Sequence, residues 1–337
     1  MILIELADKF FSCFLNIDCF LFQLTNTLKY NKMEETTYAP PTVPNPPPLH
    51  TYTDYSSIPS SILNSEKPTT IVFGIDEAGR GPIIGPMVYA LAYCTLEFAM
   101  EELPNLEFAD SKQLTEPKRW ELMKDIVEKE EIQIGYAVTS LSPNDISVSM
   151  LRSSNVINLN EQAHSATIDL IRTVMEKIRA VNPETKFDAV YIDTVGPPAS
   201  YTTKLRKFFT VEQINKIVVE KKADDTYPIV SAASVVAKVT RDWSVKCSAE
   251  IIGATWGSGY PSDPKTKAYI NSNIHPWYGW DENIRYSWGT AKTALENSNA
   301  INMRWEHELV KKHGFDDVVG MFNKTDNNEI TKNWFVQ

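Results

Sequence analysis

Cysteine and histidine are scarce in this chain of 337 residues, which holds four cysteines and five histidines. The cysteines show no C-x-x-C spacing, and no histidine follows them at an interval typical of a zinc site. The sequence therefore argues against a zinc-binding module and against a disulfide-stabilised secreted fold. We expect free thiols in a reducing compartment. The histidines are scattered, so carboxylates are the better candidates for chemistry.

The chain also lacks a membrane-length apolar run and an excess of positive charge. Residues 1–32 are apolar, but charged residues interrupt them, and they lack the basic start of a signal peptide. We expect neither a membrane span nor secretion. The formal net charge is -10, which argues against indiscriminate binding of nucleic acid through a bulk positive field. A basic stretch between residues 201 and 246 would still allow specific binding.

Composition divides the chain into three parts. With 43% hydrophobic and 23% charged residues, the chain is typical of a soluble globular protein with a substantial core. Residues 1–66 are predicted to be a disordered extension, in which residues 40–48 are proline-rich and Met33 is the expected start of translation. Residues 67–290 are the predicted folded domain. Residues 291–337 are predicted to be a more polar, helical region.

One stretch, Ile71-Val-Phe-Gly-Ile-Asp-Glu-Ala-Gly-Arg-Gly-Pro82, organises the predicted domain. Its apolar first half predicts a core strand, and Asp76 and Glu77 fall where that strand ends. Gly79 and Gly81 allow the following backbone to turn sharply and to approach a ligand closely. Because neighbouring residues of a regular strand point to opposite faces, the two acids can share one site only where the backbone twists or a metal gathers them.

Three interpretations of this stretch compete. A dinucleotide-binding fingerprint is disfavoured, because the spacing Gly79-x-Gly81-x-x-x-Gly85 is wrong and two carboxylates precede the loop where a pyrophosphate would sit. An exposed acidic turn is the ordinary explanation of a lone Asp-Glu pair. A metal-binding catalytic site is the third interpretation, and it requires further acids.

The rest of the domain provides such acids at the ends of other predicted strands. Further strands are predicted over residues 87–94, 132–141, 187–193 and 217–219, and the first of these forms a hairpin with the strand that carries Asp76. Helices are predicted over residues 115–131 and 156–180, and from residues 142, 227 and 263 onwards. The strand over 187–193 ends in Asp193, and Asp224 follows the strand over 217–219. Such an arrangement resembles a carboxylate cage for two hard cations, which prefer oxygen ligands.

Five motifs occur in this order: Asp76-Glu-Ala-Gly-Arg-Gly81, Asp110-Ser-Lys112, Tyr191-Ile-Asp-Thr-Val-Gly196, Lys222-Ala-Asp224 with Ser231-Ala-Ala-Ser234, and Gly257-Ser-Gly-Tyr-Pro261. Together they resemble type 2 ribonuclease H, over about residues 70–290. The turn after Asp193 and the tail after residue 290 resemble the eukaryotic ribonuclease H2 catalytic subunit more than the bacterial single-chain enzymes. The resemblance implies an α/β fold, in which a ribonuclease H-like mixed sheet is flanked by helices and followed by a helical C-terminal region.

Carried onto this sequence, the resemblance implies that four acids bind metal and catalyse: Asp76, Glu77, Asp193 and Asp224. Asp225 is a second acid beside Asp224, but the position within Ala-Asp-x-x-Tyr-Pro favours Asp224. The implied cofactors are two divalent cations, Mg²⁺ or Mn²⁺, since carboxylates held this close repel each other when no cation is bound. Two-metal hydrolysis would leave a 3′-hydroxyl and a 5′-phosphate.

The resemblance also implies which residues bind substrate. The loop Gly79, Arg80 and Gly81 is similar to the family loop whose backbone recognises a ribose 2′-hydroxyl. Tyr260 is similar to the tyrosine that stacks on the sugar next to the ribonucleotide. Contacts to phosphates or to the substrate backbone are implied for Lys112, Asn158 and Ser234. We expect a structural role for His164, on the helix over 156–180.

The implied activity is that of an endoribonuclease, which hydrolyses the RNA strand of RNA–DNA hybrids and nicks 5′ of single ribonucleotides in duplex DNA. The implied roles are ribonucleotide excision repair and RNA primer removal in the nucleus. The eukaryotic relatives imply a heterotrimer with the ribonuclease H2 subunits B and C, for which residues 291–337 would be the docking region. The alternative is a non-catalytic, nucleic-acid-binding scaffold subunit of the same fold. Such a scaffold would be expected to lose acids, and all four are present.

Overall fold

A mixed six-stranded sheet forms the centre of the computed structural model, which describes residues 38–108, 114–194 and 196–301. The strands are β1 (Tyr52–Tyr55), β2 (Thr70–Ala78), β3 (Met87–Thr95), β4 (Gly135–Leu141), β5 (Lys186–Asp193) and β6 (Lys216–Glu220). Their order across the sheet is β1-β4-β3-β2-β5-β6. The first four are antiparallel neighbours, whereas β2, β5 and β6 run parallel. The predicted mixed sheet is confirmed.

Helices cover both faces of this sheet. They are α1 (Ser60–Leu63), α2 (Leu96–Glu101), α3 (Glu116–Glu128), α4 (Pro143–Leu151), α5 (Leu159–Val181), α6 (Pro198–Arg206), α7 (Ala223–Thr226), α8 (Pro228–Ile252), α9 (Pro264–Ser272) and α10 (Gly289–Glu296). The apolar stripe of α5 packs against one face of β2, and α8 packs against the other. No helix in the described part of the chain is long and apolar enough to cross a membrane.

The helix α8 approaches the sheet unusually closely. A methyl group added at Gly74 of β2 would lie 2.3 Å from the carbonyl oxygen of Ile229, in the first turn of the helix. The small residues that follow, from Ser231 to Ser234, are fully buried against the sheet. The absence of a side chain at Gly74 allows this close contact, which places the start of α8 directly behind β2.

The predicted disordered extension is wrong for residues 38–66. Strand β1 pairs with β4 at the edge of the sheet, and the Thr53 and Thr139 hydroxyl groups are 3.0 Å apart. The Thr42 hydroxyl reaches that of Thr240 on α8 at 2.8 Å. A four-residue edge strand in a polar segment gains its order from the backbone of its neighbour, so its own sequence carries little signal. Residues 1–37 lie outside the described residues.

The predicted helical C-terminal region is described only as far as residue 301. Helix α10 begins at Gly289 and extends into this region, and its residues Ala291 and Ala294 are buried in a cluster with Trp256, Trp280 and Ile284. This cluster also contains Ile83 and Ile84 from the turn after β2. The segment over 256–294 therefore packs against the glycine-rich turn. Residues 302–337, the larger part of the predicted docking region, lie outside the described residues.

Candidate active site

Three acidic side chains converge at the carboxyl ends of β2 and β5, which are adjacent and parallel. Asp76, Glu77 and Asp193 each place one carboxylate oxygen within 4.8 Å of the others. The N–H of Glu77 donates to Oδ1 of Asp76 at 2.7 Å. Asp76 is buried, and the other two are half-buried. The two neighbouring acids of β2 thus share one site, although a regular strand would point them to opposite faces.

Asp224, the fourth predicted acid, is buried on the short helix α7 next to this acidic triad of Asp76, Glu77 and Asp193. The N–H of the preceding Ala223 donates to Oδ1 of Asp193 at 2.9 Å. The charge of Asp224 also raises the pKa of Asp76 and of Glu77. Because Asp225 points to solvent, burial favours Asp224 as the acid of this pair that faces the site.

The acids raise one another's pKa values. Burial, followed by the charges of Asp193 and Asp224, raises the pKa of Asp76 to about 7. Burial and the charge of Asp76 are the largest causes that raise the pKa of Glu77 to about 8. Concentrated negative charge at low solvent access is therefore costly in the protein alone, and a bound cation would relieve it.

The donor set fits a divalent cation. Every candidate ligand is a carboxylate oxygen, the type that hard cations prefer. The buried hydroxyl of Ser234, behind the triad, lowers the pKa of Asp76, yet it has no hydrogen-bond partner of normal geometry among the described residues. Asp76, Glu77, Asp193 and Asp224 are accordingly the residues that could hold metal.

A cavity of about 140 Å³ opens beside the triad, and its lining includes Glu77, Asp193, Arg80 and His164. Arg80 donates to the Tyr89 hydroxyl at 3.4 Å and to the Asn160 side chain, and its charge lowers the pKa of Glu77. The Arg80 side chain thus borders the metal-ligand candidates, a position that the sequence did not predict.

His164, for which we expect a structural role, packs between two helices at the edge of this cavity. Its ring stacks on Tyr201 with centroids 4.0 Å apart, and Lys204 donates to its Nδ1 at 3.2 Å. Burial, then the charges of Lys204 and Arg80, lowers the pKa of His164 to about 4. The imidazole is therefore neutral at physiological pH, and it joins helices α5 and α6 at the edge of the cavity.

The glycine loop and Tyr260 lie against each other. Gly79 has a φ of 78°, and a methyl group there would lie 2.6 Å from the carbonyl oxygen of Pro86. A methyl group at Gly81 would lie 3.3 Å from Cε1 of Tyr260, whose side chain is 45% exposed. The N–H of Ile83 donates to the carbonyl of Gly259 at 2.8 Å and connects the two loops. The loop predicted to recognise the ribose and the tyrosine predicted to stack on the sugar are therefore neighbours.

The remaining predicted substrate contacts differ in what the structure shows. Asn158 is the N-cap of α5, and its side chain accepts from the N–H of Glu161 at 3.0 Å in a capping box. Ser234 is fully buried beneath the acids rather than exposed to a substrate. Lys112 lies outside the described residues. The burial of Ser234 argues against a direct substrate contact by its side chain, whereas contacts by Asn158 and Lys112 stay predictions.

Arg285 and Trp288 are important residues that sequence reasoning missed. Arg285 is fully buried, and it donates to the carbonyls of Gly79, Arg80 and Gly85 at 2.6, 3.1 and 3.0 Å. Trp288 donates from Nε1 to the carbonyl of Gly81 at 3.0 Å. These contacts join positions about 200 residues apart, so no local pattern in the sequence announces them.

Comparison with known proteins gives the same assignment as the geometry. A family model described as Ribonuclease HII matches residues 73–291. The A subunit of ribonuclease H2 from Schizosaccharomyces pombe is 40% identical over 321 residues, which cover 92% of this chain and 92% of that protein. Its counterpart from Homo sapiens is 41% identical over 240 residues, covering 70% of this chain and 76% of that protein.

Solved structures agree. The ribonuclease H2 from Pyrococcus horikoshii superposes with a TM-score of 0.52 at 31% identity, covering 67% of this chain and 97% of that one. Bst-RNase HIII in complex with Mn²⁺ shares the fold, with a TM-score of 0.53 at 19% identity, over 71% of this chain and 73% of that one. With a family match over most of the folded domain and relatives aligned over most of their length, this chain belongs to the ribonuclease HII family and is a ribonuclease H.

Proposed function

We propose that this chain is the catalytic subunit of an endoribonuclease that cleaves the RNA strand of RNA–DNA hybrids and nicks 5′ of single ribonucleotides in duplex DNA. One observation carries the proposal: carboxylate oxygens of Asp76, Glu77 and Asp193 lie within 4.8 Å of one another, at the start of the glycine loop. A charge cluster of hard ligands beside a glycine-lined surface suits phosphodiester hydrolysis at a ribose.

The four acids would hold two divalent cations, Mg²⁺ or Mn²⁺. When bound, such cations neutralise charge on the phosphate and promote attack by water, so that hydrolysis leaves a 3′-hydroxyl and a 5′-phosphate. Asp76, Glu77 and Asp193 hold their carboxylates at the strand ends, and Asp224 completes the set from α7. The guanidinium of Arg80, at the edge of the cavity, adds positive charge next to the substrate backbone.

Specificity for ribose would come from the backbone of Gly79, Arg80 and Gly81 acting with the Tyr260 ring. A site that hydrogen-bonds a hydroxyl rejects an analogue without it, because its own polar groups are then buried without a partner. Tyr260 stands against Gly81 and is exposed enough to stack on a sugar. Lys112 and Asn158 are proposed as further contacts to phosphates or to the substrate backbone, whereas the buried Ser234 would act only behind the acids.

The similar eukaryotic proteins are named as one subunit of ribonuclease H2, which supports an assembly with further subunits. We propose a heterotrimer with the ribonuclease H2 subunits B and C, acting in the nucleus in ribonucleotide excision repair and RNA primer removal. A purified complex that contains this chain and two other proteins would support this assembly.

The activity is tested with duplex DNA that carries one ribonucleotide and with a matched duplex in which that sugar is deoxyribose. With Mg²⁺ or Mn²⁺, we expect one nick, on the 5′ side of the ribonucleotide, with a 3′-hydroxyl and a 5′-phosphate. The deoxy duplex, a chelator and the variant Asp193→Asn should each abolish cleavage. Equal cleavage of the two duplexes, or cleavage that leaves a 2′,3′-cyclic phosphate, would contradict the proposal.

A further inference from the structure

Arg285 stabilises the inner side of the glycine loop with a positive charge. Its guanidinium is completely buried, and burial followed by the charge of Arg241 lowers its pKa to about 9. The hydrogen bonds of this guanidinium go to the carbonyl oxygens of Gly79, Arg80 and Gly85, and its plane lies over the Trp288 ring, 4.8 Å from the ring centroid. A buried charge is expensive unless it is well hydrogen-bonded, so this placement points to a specific task.

That task follows from peptide geometry. The peptide bonds of the loop are trans, so the N–H of each residue points away from the carbonyl of the residue before it. With the carbonyls of Gly79 and Arg80 turned inward to Arg285, the N–H groups of Arg80 and Gly81 are turned outward. Neither N–H donates to another group in the described part of the chain. Gly81 itself is exposed.

Trp288 fixes the last carbonyl of the loop. Its indole N–H donates to the Gly81 carbonyl, and the next residue, Pro82, has no N–H to present. The backbone N–H of Arg285 donates to the carbonyl of Ile83 at 2.9 Å, which anchors the far side of the same turn. Residues 285–288 therefore hold the inner side of the loop, and Gly81, which carries one of the two outward donors, lies next to Tyr260.

We propose that Arg285 and Trp288 are positioning residues for ribose recognition, which hold the loop carbonyls inward so that the N–H groups of Arg80 and Gly81 point at the 2′-hydroxyl oxygen. This inference rests on the proposed function. Arginine suits the task because its planar fork carries five donors and can bind several carbonyls at once, whereas lysine offers one compact charge. A loop with its carbonyls free to rotate would present acceptors and donors in turn.

The test compares two tryptophan variants in the full-length chain, in the complex in which it is purified. Trp288→Phe keeps an aromatic ring under the Arg285 guanidinium but removes the indole N–H that donates to Gly81. Trp280→Phe is the matched control, because Trp280 donates from Nε1 to the carbonyl of Ile270 at 2.8 Å, in the same cluster but away from the loop. Both variants lose one indole hydrogen bond, and thermal unfolding of each variant checks that it remains folded under the assay conditions.

We expect Trp288→Phe to lower kcat on the single-ribonucleotide duplex by about tenfold, the value of one well-placed hydrogen bond. The metal concentration for half-maximal activity should not change, and Trp280→Phe should keep the parent kcat. Arg285→Lys should lose more activity than Trp288→Phe, with the same metal dependence. Equal kcat for the two tryptophan variants, or a shifted metal requirement in Trp288→Phe, would overturn the inference. Failure of the unsubstituted protein to prefer the ribonucleotide duplex would instead overturn the proposed function.

Discussion

Single carboxyl groups decide how this site behaves without metal. Asp76 and Glu77 lie beside Asp193 at the strand ends, and burial is the largest cause of their raised pKa values. Each carboxyl group therefore favours its protonated form in the folded protein, whereas metal binding requires the ionised form. Protons and cations compete for the same oxygens, and this competition makes the site sensitive to pH.

Raising the pH should destabilise the metal-free protein. Folding raises the pKa of Asp76 from 3.8 to about 7 and that of Glu77 from 4.5 to about 8, so between these values the folded state binds more protons than the unfolded state. Their stabilising contribution is complete below the unfolded values and is lost as the pH rises through the folded ones. Urea unfolding in chelator, at about pH 5 and about pH 8, measures it. In the variant with Asp76→Asn and Glu77→Gln, the free energy of unfolding should fall less between these two pH values. An equal fall would exclude these carboxyl groups as its cause.

Asp76→Asn should stabilise the metal-free protein while it removes the response to metal. The amide keeps the acceptor for the Glu77 N–H but carries no charge, so repulsion with Asp193 falls and the free energy of unfolding rises by roughly 1–3 kcal/mol. Thermal unfolding with and without Mn²⁺ checks both effects. Asp188→Asn is the control. Asp188 lies on β5, like Asp193, but it accepts a hydrogen bond from Asn215, and this variant should respond to Mn²⁺ like the parent. An undiminished Mn²⁺ response of Asp76→Asn would exclude Asp76 as a ligand.

At the scale of elements, the two glycines of the glycine loop differ in function. We expect Gly79 to be required for folding and Gly81 for substrate recognition. Gly79 has a left-handed backbone and no space for a methyl group, whereas the nearest atom to a methyl group at Gly81 belongs to the exposed ring of Tyr260. A side chain at Gly79 meets a rigid carbonyl, and one at Gly81 meets a ring that can move. Backbone conformation and sterics therefore require glycine at position 79, whereas glycine at position 81 leaves space beside the Tyr260 ring.

Alanine at these two glycines should give opposite results. Gly79→Ala should lower the free energy of unfolding by about 1–3 kcal/mol, because strain and the contact with Pro86 cannot be relieved. Gly81→Ala should leave stability within about 0.5 kcal/mol of the parent, as for an exposed site, yet reduce cleavage of every ribose-containing substrate. Urea unfolding and cleavage rates on both variants check this. Parent activity in a stable Gly81→Ala protein would remove the loop from ribose recognition.

Much of this architecture could be predicted from the sequence, because local patterns determine it. Apolar runs that end in acids predict the strands β2 and β5, and they also predict that Asp76 and Asp193 converge. The start of the long helix at Pro228 could be predicted as well. Strand β1 was missed because its order comes from pairing with β4. Arg285 was missed because an arginine that is buried against distant carbonyls looks, in sequence, like any surface arginine.

At the scale of the whole molecule, the candidate active site and the loop of the proposed ribose contacts lie in the domain that includes α10, and residues 302–337 follow this domain. Deleting residues 302–337, the larger part of the predicted docking region, should abolish co-purification with the proposed subunits B and C. It should leave the described domain folded, because the buried Ala291 and Ala294 of α10 are retained. Size-exclusion chromatography of the co-expressed complex and thermal unfolding of the isolated chain measure the two effects. Retained assembly would refute a docking role for residues 302–337.

The position of Mn²⁺ in crystals of the protein, located by anomalous scattering, tests the four-carboxylate metal site most directly. We expect two Mn²⁺ sites among Asp76, Glu77, Asp193 and Asp224, with carboxylate oxygens about 2.0–2.6 Å from the ions. The ions should lie beside the glycine loop, within reach of a phosphate whose ribose faces Gly81 and Tyr260. Mn²⁺ bound elsewhere, or bound without Asp224 or any one of the other three acids, would contradict the four-carboxylate site on which the proposed function depends.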